Sequence, residues 1–271
     1  MHIKRLYRAL THLIVVCLLF STQMAFAASR LPVRSEGGMV VSASDIASRV
    51  GVAVLDEGGN AVDAAVAVGF ALAVTFPSAG NLGGGGFMVI HLAEDGRSTT
   101  IDYRETAPAG ASRDMYLDEN GDVIAGAPTD GHRSVAVPGT VAGLLLALET
   151  YGSLDREAVI APAIALAQDG FIVNDYLEAS LERSRERLAS HPESRRLFLA
   201  GGDGMASGQR LIQKDLAATL ERIAQNGNAG FYQGPTADLL VAEMQRGGGL
   251  ISHEDLENYR PRERAPVVGS Y

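Results

Sequence analysis

Fifteen consecutive residues, "AVDAAVAVGFALAVT" (Ala61–Thr75), carry a single charged side chain, Asp63, and that one falls in the first turn. A helix lying on a protein surface needs a polar face, and this stretch offers none over four turns. It is also too short to cross a bilayer, which takes about 20 apolar residues. It must be enclosed by other elements of its own fold, so the chain has to build a layered domain around an interior helix. The boundaries of the helix are marked. Asn60 stands at the N-cap with Asp63 three residues on, the spacing of a capping box, and Pro77 stops it.

The flanking sequence supplies the layers. Ser44 caps a first helix over "DIASRVGVAVLDE", which Gly58 and Gly59 end. "FMVIHLA" and "STTIDYRETA" alternate in polarity around an Asp95-Gly96 turn and predict a β-hairpin. "LDENGD" is a second turn. Helices are predicted over "PGTVAGLLLALETYG", over "DREAVIAPAIALAQDG" with Pro162 breaking or kinking it, and over "DYLEASLERSRERLA", "KDLAATLERIAQNG" and "PTADLLVAEMQRGG". Ser252 and Asp255 have capping-box spacing before "HEDLENY", and the closing "APVVGSY" reads as a strand.

The first 27 residues stand apart. Lys4, Arg5 and Arg8 precede the apolar run "ALTHLIVVCLLF", and Ala25-Phe26-Ala27 has the small-x-small form of a cleavage site. This is the pattern of a secretory signal peptide, and it predicts an exported chain, periplasmic or secreted, that starts at Ala28 and has no membrane span. The only cysteine of the 271 residues, Cys17, lies in the leader, so the mature chain has neither a disulfide nor a thiol nucleophile. The formal net charge is −9. The one basic run, "ERSRERLASHPESRR", is interleaved with Glu182, Glu186 and Glu193 and reads as a solvated helix face. Neither nucleic acid nor an anionic membrane suits such a surface.

Gly83–Gly86, within "PSAGNLGGGGF", invite a phosphate-loop reading that fails on context. A Walker loop continues with Lys-Ser/Thr, whereas Phe87-Met88 follow here. A dinucleotide fingerprint runs strand, glycines, helix, and this order is helix, glycines, strand. What remains is close backbone approach or positive φ. The histidines after the leader, His91, His132, His191 and His253, are too widely spaced for a zinc helix, and no metal or cofactor is indicated. No G-x-S-x-G elbow occurs, and Ser134 near His132 and Asp130 is a loose cluster. Arg104, in "DYRETAP", sits where the second hairpin strand ends. From the residues alone it either presents a bidentate fork to a ligand carboxylate or pairs with Asp102 or Glu105.

Taken together, "GNAVDAAVAVGFALAVTFPSAGNLGGGGFMVIH", "IDYRETAPAGASRDMYLDENG", "SVAVPGTVAGL", "PAIALAQDGF", "GFYQGPTADLL" and "GGGLISHEDLENY" resemble, in order, the γ-glutamyltransferase (γ-glutamyltranspeptidase, glutathione hydrolase) family. The resemblance runs from about Gly38 to Tyr271. It implies an α+β fold, the αββα sandwich of the N-terminal nucleophile hydrolases, incomplete in this chain. It implies a precursor cleaved into two subunits, with the N-terminal threonine of the small subunit as nucleophile and its α-amine as base. The substrates implied are glutathione and other γ-glutamyl compounds, with water or an acceptor amino acid or peptide taking the acyl group. Arg104 falls on the family's substrate arginine, which binds the α-carboxylate of the γ-glutamyl group. The glycines then become a tight entry into the hairpin that carries Arg104.

The family's Thr-Thr-His nucleophile motif is not in this sequence. Thr99-Thr100 precedes Arg104 and lies mid-strand, and it is rejected. The expectation is that residues 28–271 are the N-terminal part of a large subunit, supplying the substrate-binding part and needing the small subunit as partner. The alternatives are an inactive fragment or pseudoenzyme that binds γ-glutamyl compounds, a related cephalosporin or glutaryl acylase, and an exported solute-binding protein. The sheets are expected to expose open edges and apolar faces in this chain alone.

Overall fold

The computed structural model describes residues 32–199, 202 and 204–270; the proposed leader, residues 1–27, lies outside the described residues. The chain divides after Gly38. Of the first unit, residues 32–38 are irregular and exposed. Everything below concerns the second unit, from Met39 onward.

Helix α1 (Asp45–Asp56) starts where predicted, with the Ser44 side chain accepting from the Ala47 amide. Helix α2 (Ala61–Thr75) is the apolar stretch, and eleven of its residues are buried. It lies at the centre of this unit. Helix α1 packs along it, and so do α3 (Thr140–Tyr151) and α4 (Arg156–Asp169). Behind α4 lies α8 (Lys214–Asn226), whose apolar face contributes Ala217, Leu220, Ile223 and Ala224 to the same core. Arg156 closes the far end of α8 by donating from Nε to the Ala224 carbonyl at 2.8 Å.

Strands β1 (Phe87–Leu92) and β2 (Arg97–Asp102) form the predicted antiparallel hairpin, with Phe87 opposite Asp102 and Ile90 opposite Thr99. A third strand, β5 (Arg262–Arg264), adds to the far edge of β2. The order is β1-β2-β5, so among the described residues β1 has no second neighbour. One face of this sheet, with Ile90 and Ile101 buried, joins the core. The other is open: Phe87 is 57% and Val89 70% exposed. A two-stranded ribbon of β3 (Phe171–Ile172) and β4 (Arg210–Leu211) lies apart from this sheet. The remaining helices are α5 (Asp175–Arg183), α6 (Arg185–Ala189), α7 (Pro192–Phe198), α9 (Ala229–Tyr232), α10 (Gly234–Gly247) and α11 (His253–Asn258).

Three local expectations are corrected. Of the two readings of Pro162, breaking the helix is overturned, because α4 runs through it. The carbonyl that loses its donor belongs to Ala158, an exposed residue, so water can take that acceptor. "DYLEASLERSRERLA" is two helices that share Ser184, whose amide is divided between the carbonyls of Ser180 and Leu181. The closing "APVVGSY" is not a strand over residues 265–270, and Val267 and Val268 are exposed. Backbone of that composition needs a neighbouring strand to pair with, and none is present among the described residues.

The single charge of α2 explains how α2 and α3 are tied. Asp63 is fully buried. Its carboxylate accepts from the Asn60 amide at 2.7 Å, the Ser153 amide at 2.9 Å, the Ser153 hydroxyl at 2.7 Å and the Leu154 amide at 3.1 Å. It therefore closes the capping box of α2 and also holds the chain that leaves α3. Burial pushes its pKa up, but the Ser153 hydroxyl and the three backbone donors outweigh that and leave it below the usual carboxylate value. Since the folded pKa lies below the unfolded value of about 3.9, the stabilisation is complete above that pH and is lost as pH falls through the folded pKa. Asp63→Asn is expected to cost about 2–4 kcal/mol at pH 7, because the charge is lost and one buried donor is left unmet. Thermal melts at pH 7 and pH 3 check this: the penalty should shrink at pH 3, and an equal penalty at both would contradict the assignment.

Candidate functional site

The β1–β2 ladder continues one pair beyond the strands. The Tyr103 amide donates to the Gly86 carbonyl at 3.0 Å, and the Gly86 amide donates back to the Tyr103 carbonyl at 3.3 Å. The alternation of β2 continues with it, so Tyr103 turns toward the core and Arg104 turns out. Tyr103 packs against the core, and burial pushes its phenol pKa up. Arg104 is left with a side chain 70% exposed, paired through Nε with Glu105 Oε2 at 3.3 Å. The other neighbour expected as a partner, Asp102, is engaged elsewhere: its Oδ2 meets Arg264 Nε at 2.7 Å and its Oδ1 accepts the Arg104 backbone amide at 3.1 Å. The guanidinium is thus presented to solvent on a backbone that is held in place.

Around this point the glycines explain themselves. None of Gly83–Gly86 has positive φ, so that reading is withdrawn. Close approach is the reason at Gly84–Gly86, whereas a Cβ added to Gly83 would meet nothing within 4 Å. A Cβ on Gly85 would lie 2.5 Å from the Tyr103 carbonyl oxygen and 2.8 Å from the Glu105 amide nitrogen, and one on Gly86 would lie 2.9 Å from the Tyr103 ring. Opposite them, Gly139 and Gly143 receive the same tyrosine, with any added Cβ well inside van der Waals contact. Tyr103 therefore sits in a slot with glycine on both walls.

The helix that could have served an anion is α3, and its N-terminal amides are already used. Gly139 N and Thr140 N both donate to the Gly84 carbonyl, at 2.7 and 3.0 Å. Asn81 locks the arrangement: its Oδ1 accepts from Gly84 N at 2.8 Å and from Thr140 Oγ1 at 2.7 Å. The polyglycine run is a brace between α3 and the hairpin.

Past Arg104 the chain stays tethered. Thr106 and Val137 exchange backbone bonds at 3.3 and 2.8 Å. The Ala109 amide donates to Asp255 Oδ1 at 2.7 Å. The Tyr259 hydroxyl donates to the Arg104 carbonyl at 2.9 Å. Asn81, Tyr103 and Tyr259 were not singled out from the sequence. Tyr103 had a signal, the alternation that places it inward beside Arg104, whereas Tyr259 lies 155 residues away and had none.

The other sequence candidates resolve into structural roles. His132 Nε2 meets Glu243 Oε1 at 2.6 Å, and Ser134 Oγ donates to Gly131, so the loose cluster is no triad. His91 bonds Ser98 and His253 bonds Asp238. Among the described residues no group of three or more His, Cys, Asp or Glu could hold a metal, and no helix is long and apolar enough to cross a membrane. Thr99 and Thr100 lie inside β2, with the Thr99 hydroxyl donated to Glu263 at 2.7 Å, so neither offers a free α-amine. In the exposed basic run Arg185 pairs with Glu182, and Arg196 pairs with Glu193 and with Asp215 of α8. A groove of about 740 Å³ between β1 and the start of α2 is lined by Asn60, Val62, Met88, Ile90 and Tyr151, and Arg104 does not border it.

Comparison with known proteins places these features. A family model described as gamma-glutamyltranspeptidase matches residues 47–271. A glutathione hydrolase proenzyme of Pseudomonas sp. (strain A14) is 50% identical over 268 residues, covering 97% of this chain and 45% of the relative. An acylase ACY 1 proenzyme of Pseudomonas sp. (strain V22) is 41% identical over 252 residues, covering 91% of this chain and 45% of the relative. The chain thus spans less than half the length of these curated relatives. The crystal structure of Helicobacter pylori gamma-glutamyltranspeptidase superposes with a TM-score of 0.86 at 44% identity, covering 89% of this chain and 69% of that one. The mixed α/β architecture built around α2 and the Arg104 hairpin is that of its structural neighbours, and the chain belongs to the γ-glutamyltranspeptidase family.

Proposed function

We propose that this chain is the large-subunit, substrate-binding part of an enzyme that transfers γ-glutamyl groups and hydrolyses glutathione. The observation that carries this is Arg104: an exposed guanidinium on a backbone fixed at Tyr103, Asp102 and Tyr259, in a chain of this family. A planar fork held in that way suits bidentate pairing with the α-carboxylate of a γ-glutamyl group. The reaction itself is assigned to a partner segment with an N-terminal threonine. Its hydroxyl attacks the γ-amide carbonyl while its α-amine takes the hydroxyl proton and passes it to the nitrogen, the C–N bond breaks and the amine leaves, and the resulting γ-glutamyl ester is transferred to water or to an acceptor amine, freeing the hydroxyl again. No cofactor enters this scheme.

The remaining expectations belong to the same proposal. Residues 1–27 are a signal peptide and residues 28–271 one exported region. The open face of the sheet, with Phe87 and Val89, is where the rest of an αββα sandwich stacks, leaving this chain with an incomplete one.

The test is chromophore release from γ-glutamyl-p-nitroanilide by two proteins: residues 28–271 alone, and the same residues grafted in place of the matched part of the Pseudomonas sp. (strain A14) relative. No turnover by the first and clear turnover by the second is expected. Turnover by the isolated chain would mean that it holds a nucleophile of its own. The 41% identity to an acylase proenzyme supports a second reading, a related acylase, for which a glutaryl amide is the substrate to try. Competition between glutaryl and γ-glutamyl anilides in the grafted protein separates the two: both groups carry the carboxylate that Arg104 would bind, and only the γ-glutamyl group has the α-amine.

A further inference from the structure

The segment "SHEDLENY" has no part in the proposed chemistry, yet α11 and the tyrosine that ends it grip the Arg104 loop twice. Helix α11 is short and strongly capped: Ser252 Oγ accepts the Asp255 amide at 3.1 Å, and Asp255 Oδ2 accepts the Ser252 amide at 2.9 Å. That leaves Asp255 Oδ1 to accept the Ala109 amide at 2.7 Å. Burial raises the Asp255 pKa, but the Ala109 amide and the hydroxyl and amide of Ser252 outweigh it and keep the carboxyl below its usual value.

At the other end of α11, Tyr259 is buried and stacked on Tyr232, with ring centroids 5.9 Å apart and planes 5° from parallel. Tyr232 is itself fixed, donating to the Pro138 carbonyl at 2.9 Å. Burial, with the nearby charges of Asp102 and Glu105, pushes the Tyr259 pKa up to about 12, so the phenol keeps its proton at any working pH. Its hydroxyl donates to the Arg104 carbonyl at 2.9 Å. The ring stack sets the angle of that hydroxyl, and the hydroxyl fixes the peptide from which the guanidinium extends.

We infer that Tyr259 is a positioning residue for Arg104: through the Arg104 carbonyl, and with the Asp255–Ala109 bond as a second grip, it sets the direction of the guanidinium and so the affinity for the γ-glutamyl α-carboxylate. The inference rests on the substrate-binding reading of Arg104. Tyr259 touches neither substrate nor nucleophile. Its loss should therefore weaken binding and leave the chemical step nearly intact.

The test is a double-substitution cycle in the grafted protein with γ-glutamyl-p-nitroanilide. Tyr259→Phe keeps the stacked ring and removes one hydrogen bond. It is expected to raise KM about three- to tenfold with kcat changed less than about twofold. In an Arg104→Ala background the same substitution should add nothing, because the group it positions is gone. A Tyr259→Phe penalty that is equally large without Arg104 would show a general structural role and overturn the inference. So would an unchanged KM for Tyr259→Phe alone. If instead Arg104→Ala leaves KM unchanged, the carboxylate reading of Arg104 fails, and the inference with it. Should Tyr259→Phe not fold, Asp255→Asn, which weakens the grip at Ala109 and leaves the tyrosine in place, takes its position in the cycle under the same criteria.

Discussion

Arg104→Ala, in the grafted protein, is expected to lower kcat/KM for γ-glutamyl-p-nitroanilide by about a thousandfold. The reasoning starts from geometry. In this chain the guanidinium is 70% exposed and its pairing with Glu105 is a single 3.3 Å contact, so little holds it back from a ligand. On the proposed reading the completed enzyme encloses the guanidinium and desolvates its pair with the substrate carboxylate, and truncating one member of such a pair costs about 2–5 kcal/mol. Taking the middle of that range, at about 1.4 kcal/mol per factor of ten, gives roughly two to three decades, and enclosure favours the upper end. Arg104→Lys should recover only part of the loss, because an ammonium cannot offer the planar fork. The control is a 4-aminobutyryl anilide, which lacks the α-carboxylate. On that compound wild type and Arg104→Ala should perform alike. A thousandfold loss on both substrates would show that the substitution damages the fold, and the carboxylate assignment would be withdrawn.

The second large effect is structural. Gly139 has ordinary backbone angles, φ −119° and ψ −15°, so alanine is not strained there by conformation. The obstacle is space. A Cβ at Gly139 would press into both the Tyr103 carbonyl oxygen and the Tyr259 hydroxyl, and a backbone carbonyl in a ladder cannot swing aside. Gly139→Ala is expected to cost about 3 kcal/mol or more by overpacking. For a chain of this size that lowers the melting temperature by roughly 6–12 °C. It should also raise KM, since both supports of Arg104 are displaced. Gly83 supplies the contrast: nothing lies within 4 Å of its added Cβ and its φ is not positive. Gly83→Ala should therefore melt within about 0.5 kcal/mol of wild type. Differential scanning fluorimetry of the two variants decides. Equal destabilisation would mean that the glycines serve chain flexibility rather than close packing.

These two sites also mark how far the sequence could be read. That α2 is interior followed from one charge in fifteen residues, and that charge proved to be the buried clamp at Ser153. The place of Arg104 just past the second hairpin strand followed from alternation and the Asp95-Gly96 turn. Both are local patterns. The reason for Gly85 and Gly86 was not local: the tyrosine they admit follows the second hairpin strand, and the opposite wall of its slot is Gly139 and Gly143. The grip of Tyr259 on Arg104 crosses 155 residues, and a single sequence has no pattern at that distance. The "APVVGSY" strand was expected from composition, but strand propensity is realised only against a neighbour, and Val267 and Val268 have none among the described residues.

One edge of the sheet bears on the life of the chain before any catalysis. Strand β1 is unpaired on one side among the described residues, and its outward residues are Phe87, Val89 and His91. Because side chains alternate, a strand joining that edge one residue out of step would turn its apolar residues away from the Phe87–Val89 face. The edge is therefore selective for register as well as for hydrophobicity. It is also six residues long and carries no proline or lysine to repel a second copy. At high concentration another molecule of the same chain competes for that edge; if a partner segment of the proposed enzyme joins the sheet there, dilution should favour that pairing over self-pairing.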